Sequence, residues 1–256
     1  MRLSPAEQLL QELGVSEPRE IHLEAIAWHV GVRVKYEPLK SCEARILGYG
    51  DRAIATIDPG RGNRRRVRFS LAHELGHWRH HRGKSFVCRP DDIGNAARSP
   101  LDPERVADAY AADLLLPGYL FGPLARKSRA TCFDLVANLS DEFDASLTAT
   151  ALRIVDFGPE PAMLICHTSS GRKWFKAGKD IPPCWFPRDE LDADSYAFDV
   201  LFGHSKRSRR VLIDADAWFD RAGADRYQLY EQSVRISDEE ILTLLLFKDE
   251  GMLNSA

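Results

Sequence analysis

His73-Glu74-Leu75-Gly76-His77 sets two imidazoles four residues apart, with a carboxylate beside the first. On a helix that spacing stacks both rings on one face, a turn apart, where they can reach a single tetrahedral ion. Glu74 then lies close enough to touch a water activated by that ion, and the expected chemistry is hydrolysis at a zinc site. The bland alternative is a helix that happens to carry two histidines, and the flanking sequence has to decide between them.

The helix is predicted from about Asn63 to His81, closed by Gly83. Arg61, Arg64, Arg65, Arg66 and Arg68 crowd its approach; a solvated surface paired with some of the 38 acidic residues accounts for them better than nucleic-acid contact does. Residues 83–103 are polar and carry Pro90, Gly94, Pro100 and Pro103, which predicts a long loop near the site. Asp102-Pro103-Glu104 then has the form of an N-cap, a first-position proline and the first turn of a second helix, which continues to Leu116 and stops at Pro117-Gly118.

A catalytic zinc takes three protein ligands and keeps one position open for water. Glu104 is the leading third candidate, with Asp102 and Asp113 as alternatives. With Glu104 as ligand, Asp108 one turn later would accept the other ring N–H of a ligating imidazole and fix its tautomer. Cys88 falls in the loop between the two helices. If that loop folds inward, the thiolate becomes an inhibitory fourth ligand that displaces the catalytic water and leaves the site latent; otherwise Cys88 is a small buried hydrophobe. Tyr110 and His80 are weak candidates for an oxyanion donor, and His80 and His81 read more simply as the polar end of the metal helix.

Before the metal helix, Pro5–Leu13 and Ile21–Val30 have helical periodicity and stop at Gly14 and Gly31. Val32–Tyr36, Ala44–Tyr49 and Arg52–Ile57 alternate like short strands, the last two joined by a Gly50-Asp51 turn, and together predict a small antiparallel sheet. Phe133–Asp144 and Ser146–Val155 read as helices that complete a mainly helical, zincin-like domain over residues 1–157. Gly158-Pro159-Glu160-Pro161 is the linker. Residues 161–256 form a second, small α+β domain, with strands at Ala162–His167, Lys173–Ala177, Arg210–Ile213, Tyr227–Ile236 and Ile241–Phe247 and a helix at Ser195–Phe202. The fold class is therefore α+β.

With 256 residues, 44% of them hydrophobic and 29% charged, the chain can bury a real core in two domains. Its longest apolar run, Ile241–Phe247, is far too short to cross a bilayer, and no export signal precedes the first helix, so a cytoplasmic protein with no membrane partner is expected. Five cysteines at irregular spacing, without a Cys-x-x-Cys pair, fit a reducing compartment. A formal charge of −3 argues against a dedicated nucleic-acid coat.

Phe69-Ser70-Leu71-Ala72-His73-Glu74-Leu75-Gly76-His77, followed by Glu104-x-x-Ala107-Asp108-x-Tyr110-Ala111-Ala112-Asp113-Leu114-Leu115-Leu116-Pro117, resembles the ImmA/IrrE family of gluzincin-like zinc metallopeptidases, over roughly residues 15–155. The resemblance implies that His73, His77 and Glu104 bind Zn2+ and that Glu74 is the catalytic base. It implies as substrate a helix-turn-helix transcriptional repressor, whose cleavage releases genes for stress response, mobile elements or phage defence. Asp108 stands where the family commonly has asparagine, and Tyr110 where it has phenylalanine. Some members carry a C-terminal GAF-like sensor domain, the layout expected for residues 161–256.

There, Lys206, Arg207, Arg209 and Arg210, with Trp174, Trp185, Phe186 and Trp218, are candidates for contacting single-stranded DNA as an activator, although aromatics in such a domain are more often core. The alternative function is a regulator without proteolytic activity that senses a ligand and grips its repressor partner through the zinc fold.

Overall fold

The computed structural model of the chain describes residues 3–82, 86–88 and 102–254. Gly83 and most of the loop expected around Pro90, Gly94 and Pro100 lie outside the described residues. The fold is α+β, with two compact units: residues 1–121 with 140–146, and residues 122–139 with 147–256.

In the first unit, Ser4 and Glu7 form a reciprocal capping box that starts helix α1, Pro5–Glu12. Gly14 ends that segment and Gly31 ends α2, Leu23–His29, both with positive φ. Strands β1 (Val32–Tyr36), β2 (Ala44–Tyr49), β3 (Arg52–Ile57) and β4 (Phe86–Cys88) make a sheet in the order β1-β3-β2-β4. The expected sheet is antiparallel; the observed one is mixed, because β1 lies parallel to β3. The β2–β3 hairpin leaves β3 running in the direction of β1, and β1 pairs on the free side of β3. A side chain at Gly31 would meet Asp51 O at 2.6 Å, so only glycine lets the hairpin tip rest on the α2–β1 turn.

The inner face of this sheet, built from Ala44, Ile46, Ala53, Ala55 and Ile57, is wholly buried, and its small residues let helix α3 (Arg64–His80) lie close against β2 and β3. Asn63 caps α3 by accepting from Arg66 N. Buried Glu43, just before β2, accepts from Arg66 Nε at 2.6 Å and Ser70 Oγ at 2.5 Å, which pins the start of α3 to the sheet. The other arginines of this run also meet carboxylates: Arg61 pairs with Asp58, Arg65 with Asp141, and Arg64 and Arg68 with Asp144. Helix α4 (Pro103–Leu115) begins with Asp102 as its cap and packs on α3. Helix α5 (Gly118–Ala125), which sequence periodicity had not indicated, contains Pro123 and follows directly.

Helices α6 (Phe133–Glu142) and α7 (Leu147–Phe157) precede the second sheet. Its strands β5 (Ala162–Thr168), β6 (Gly171–Ala177), β7 (Val211–Asp214), β8 (Gln228–Arg235) and β9 (Ile241–Phe247) are antiparallel throughout, in the order β6-β5-β9-β8-β7. Every residue of β9 is buried, as expected of a central strand covered on both faces, and its one polar side chain, Thr243, shares a hydrogen bond with Ser233. Helix α7 packs on β5 and β6, so it belongs with this sheet even though Gly158–Pro161 separates them in sequence; α8 (Tyr196–Phe202) packs on β8 and β9.

Gly76 of α3 faces Ala107 of α4, and a methyl group there would stand 2.8 Å from both Ala107 Cα and Ala107 O. Helix propensity favours alanine over glycine by about 1 kcal/mol, but overpacking of backbone on backbone costs about 1–3 kcal/mol. Gly76→Ala is therefore expected to lower the denaturation midpoint and weaken zinc binding; a variant with a raised melting temperature and unchanged zinc affinity would disprove the close-contact account.

Candidate metal centre

Two helices each bring one i, i+4 pair to the same place: His73 and His77 from α3, Glu104 and Asp108 from α4. The two Nε2 atoms are 3.0 Å apart, and Glu104 Oε2 is 3.1 Å from that of His73 and 3.4 Å from that of His77. Cys88 Sγ lies 3.4 Å from His77 Nε2, and the ligand atoms of His73, His77, Cys88 and Glu104 all fall within 4.8 Å of one another. Donors about 2.0–2.3 Å from a tetrahedral zinc stand about 3.3–3.8 Å apart along the edges. The measured contacts are therefore close to the spacing one such ion needs.

The neighbours orient these atoms. His73 Nδ1 donates to Asp108 Oδ1 at 2.9 Å, which turns Nε2 toward the cluster. Phe86 stacks on His77, with ring centres 4.1 Å apart and 10° between planes. Both Phe86 and Cys88 arrive on β4, whose register on β2 pairs Phe86 with Ile46 and Cys88 with Ala44. Glu43 N donating to Cys88 O extends that ladder, and the thiol is fully buried.

The carboxylates and imidazoles of the cluster act on one another. Burial alone would lower the His73 pKa, but its hydrogen bonds with Asp108 and Glu104 and the charge of Glu74 carry it up to about 9. Burial holds His77 below its ordinary value. Glu104 is driven far below the carboxylate range, because its contacts with the two imidazoles outweigh desolvation. Glu74 moves the other way: burial raises it to about 8 against the pull of His73 and a contact with the Cys88 thiol. Neither Glu74 oxygen has a nitrogen or oxygen hydrogen-bond partner among the described residues, nor does His77 Nδ1. Buried carboxylate oxygens left in this way are rare and call for a partner such as an ion or a water. A divalent ion with nitrogen, oxygen and sulfur donors fits the set, and zinc accepts all three.

The remaining candidates are placed elsewhere. Asp102 is committed to its capping bond with Glu104 N, and Asp113 stands further along α4, outside the cluster. Tyr110 lines a small cleft with Leu75, Trp78 and Arg79, and its ring meets His80 edge-on. In the second unit, Arg207 pairs with Asp134; Arg210 pairs with Glu160 and lies over the Tyr230 ring. Arg207, Arg209 and Arg210 line one cleft, with Lys206 next to them in sequence. Trp185 and Trp218 do not join them, being buried in the core, whereas Phe186 is exposed. Phe86 and Glu43 are the residues that sequence reasoning missed. Nothing in a three-residue strand announces itself, but a lone glutamate just before an alternating strand, with Arg66 and Ser70 on one helical face, was a readable signal for the second.

Residues 28–155, half of the chain, match the family model described as the IrrE N-terminal-like domain, a peptidase family. Among solved structures, a Mycobacterium tuberculosis transcriptional regulator superposes with a TM-score of 0.59 at 14% identity, covering 94% of this chain and 86% of that one. That similarity is one of fold alone. No curated protein matches the chain significantly.

Glu104→Ala should abolish tight zinc binding, and Asp108→Asn should weaken it by about 10–100-fold, since the imidazole loses its orienting acceptor. Competition with a fluorescent zinc chelator measures both; wild-type affinity in Glu104→Ala would remove that residue from the ligand set.

Proposed function

The chain belongs to the IrrE N-terminal-like domain family of peptidases, and on that premise we propose that it is a zinc-dependent endopeptidase that cleaves a helix-turn-helix transcriptional repressor, derepressing stress or phage-defence genes. The observation that carries this reading is the convergence of His73, His77 and Glu104 beside a buried Glu74 that has no oxygen or nitrogen partner among the described residues.

In this proposal His73, His77 and Glu104 hold Zn2+, which when bound supplies a Lewis acid for the scissile carbonyl and acidifies water. Glu74 takes the proton of the attacking water and passes it to the leaving amine. Asp108 keeps the His73 ring in the ligating tautomer.

Cys88 makes the resting protein latent. Its sulfur completes a set of four protein donors, and a closed sphere leaves no position for water. The same observation favours the second reading, a regulator without proteolytic activity, because four protein donors are also the composition of a structural zinc site.

We assign signal reception to the C-terminal α+β unit, as a GAF-like sensor, with the cleft beside Arg207, Arg209 and Arg210 as the place to test single-stranded DNA as trigger. No helix among the described residues is long and apolar enough to cross a membrane. The proposed site of action is the cytoplasm, where such a repressor works.

Incubation with helix-turn-helix repressors of the host, with and without single-stranded DNA, decides between the two readings. The peptidase reading expects cleavage that Glu74→Gln eliminates. Binding without cleavage under every condition, including in the Cys88→Ser protein, would establish the regulator. Cys88→Ser is itself expected to raise basal cleavage in the absence of a trigger; an unchanged basal rate would refute latency through this thiol.

A further inference from the structure

The outer face of the first sheet, opposite the face that carries α3, is lined by side chains that the metal centre does not use. Leu47, Ile54 and Arg33 stand side by side across β2, β3 and β1, and Tyr49 faces Arg52 in the same ladder. With Trp28 they line a cleft of about 680 Å³. Tyr49 is 93% exposed and Trp28 70%, the highest values among the large apolar side chains described. Aromatic side chains left in water around an aliphatic floor of this kind mark a surface built to be covered.

Charge says by what. Arg61, Arg64, Arg65, Arg66 and Arg68 of the same unit all meet carboxylates. Arg33 and Arg52, at the cleft, make no ion pair or hydrogen bond among the described residues, and Asp51 is the one acidic residue in the lining. Aromatic and arginine side chains are the types that anchor protein interfaces. Trp28 and Tyr49 offer stacking planes, but the aliphatic surface of Leu47 and Ile54 beside them suits leucines on one face of an amphipathic helix, whose flanking glutamates would meet the arginines.

We propose that this face docks an acidic, amphipathic helical segment of a partner protein. Resting on the peptidase reading above, the segment belongs to the substrate repressor, and the face is an exosite that selects the substrate apart from the bond to be cut.

The test uses the full-length Glu74→Gln protein, so that binding is read without cleavage, and three fluorescein-labelled probes followed by anisotropy. One is a helical peptide with leucines on one face and glutamates on the other, the second its lysine-for-glutamate counterpart, the third an oligothymidylate. The acidic peptide is expected to bind, and Arg33→Glu/Arg52→Glu and Trp28→Ser/Tyr49→Ser are each expected to weaken it by about 10-fold or more, roughly 1.4 kcal/mol, with unchanged melting temperature and zinc content.

Equal binding of the lysine peptide, insensitivity to both double variants, or no binding of any probe would overturn the proposal. Preferential binding of the oligothymidylate, lost in the same variants, would overturn it in favour of a nucleic-acid surface. Repressor cleavage by the chain with Glu74 intact is a separate readout, so failure at this face leaves the peptidase reading to stand or fall by itself.

Discussion

The approach of two helix backbones at Gly76 and Ala107 fixes the distance on which the candidate metal centre depends. Gly76 lies between His73 and His77, and Ala107 lies between Glu104 and Asp108, so the point of closest contact is centred on the four side chains that meet across the gap. Helix axes ordinarily pack about 8–10 Å apart, depending on the residues at the crossing. A glutamate is too short to tolerate much slack, and a side chain at the crossing would move Glu104 away from the imidazoles. The alanines of the inner sheet face act alike on the other side of α3, and Glu43 ties the start of that helix to β2 through Arg66 and Ser70.

Held so rigidly, the centre concentrates charge that the fold has to tolerate. Desolvating a carboxylate is expensive, and the effective penalty in a protein interior is still about several kcal/mol per ion. Glu104 meets it with two imidazoles, whereas Glu74 meets it by favouring its protonated form. Two chemically identical groups on facing helices are thus driven in opposite directions by what surrounds them.

The legible part of this structure was the part written in local spacing. The i, i+4 histidines, the Asp102-Pro103 start of α4 and the hairpin at Gly50-Asp51 follow from contacts within a few residues, and the structure places those elements where periodicity does. Illegible features depend on distant partners. β4 is a strand because β2 offers it an edge, not because Phe86–Cys88 has a pattern. The parallel pairing of β1 with β3 is set by where the hairpin returns. Helix α5 hides behind Pro123, which reads as a breaker. For the second sheet, periodicity located the strands well, yet nothing in a strand's own sequence declares which neighbour it will take.

The brevity of β4 has a thermodynamic consequence. Three residue pairs join it to β2, whereas α3 is embedded between sheet and helix along most of its length. Segments held by so few bonds open in local excursions whose free energy lies well below that of global unfolding. In the latent state proposed above, the thiol would ride on a strand of three residue pairs and the imidazoles on a helix whose central turns are buried. On that proposal, release of the strand would leave the imidazoles in register, and the switch would need no passage through the denatured ensemble.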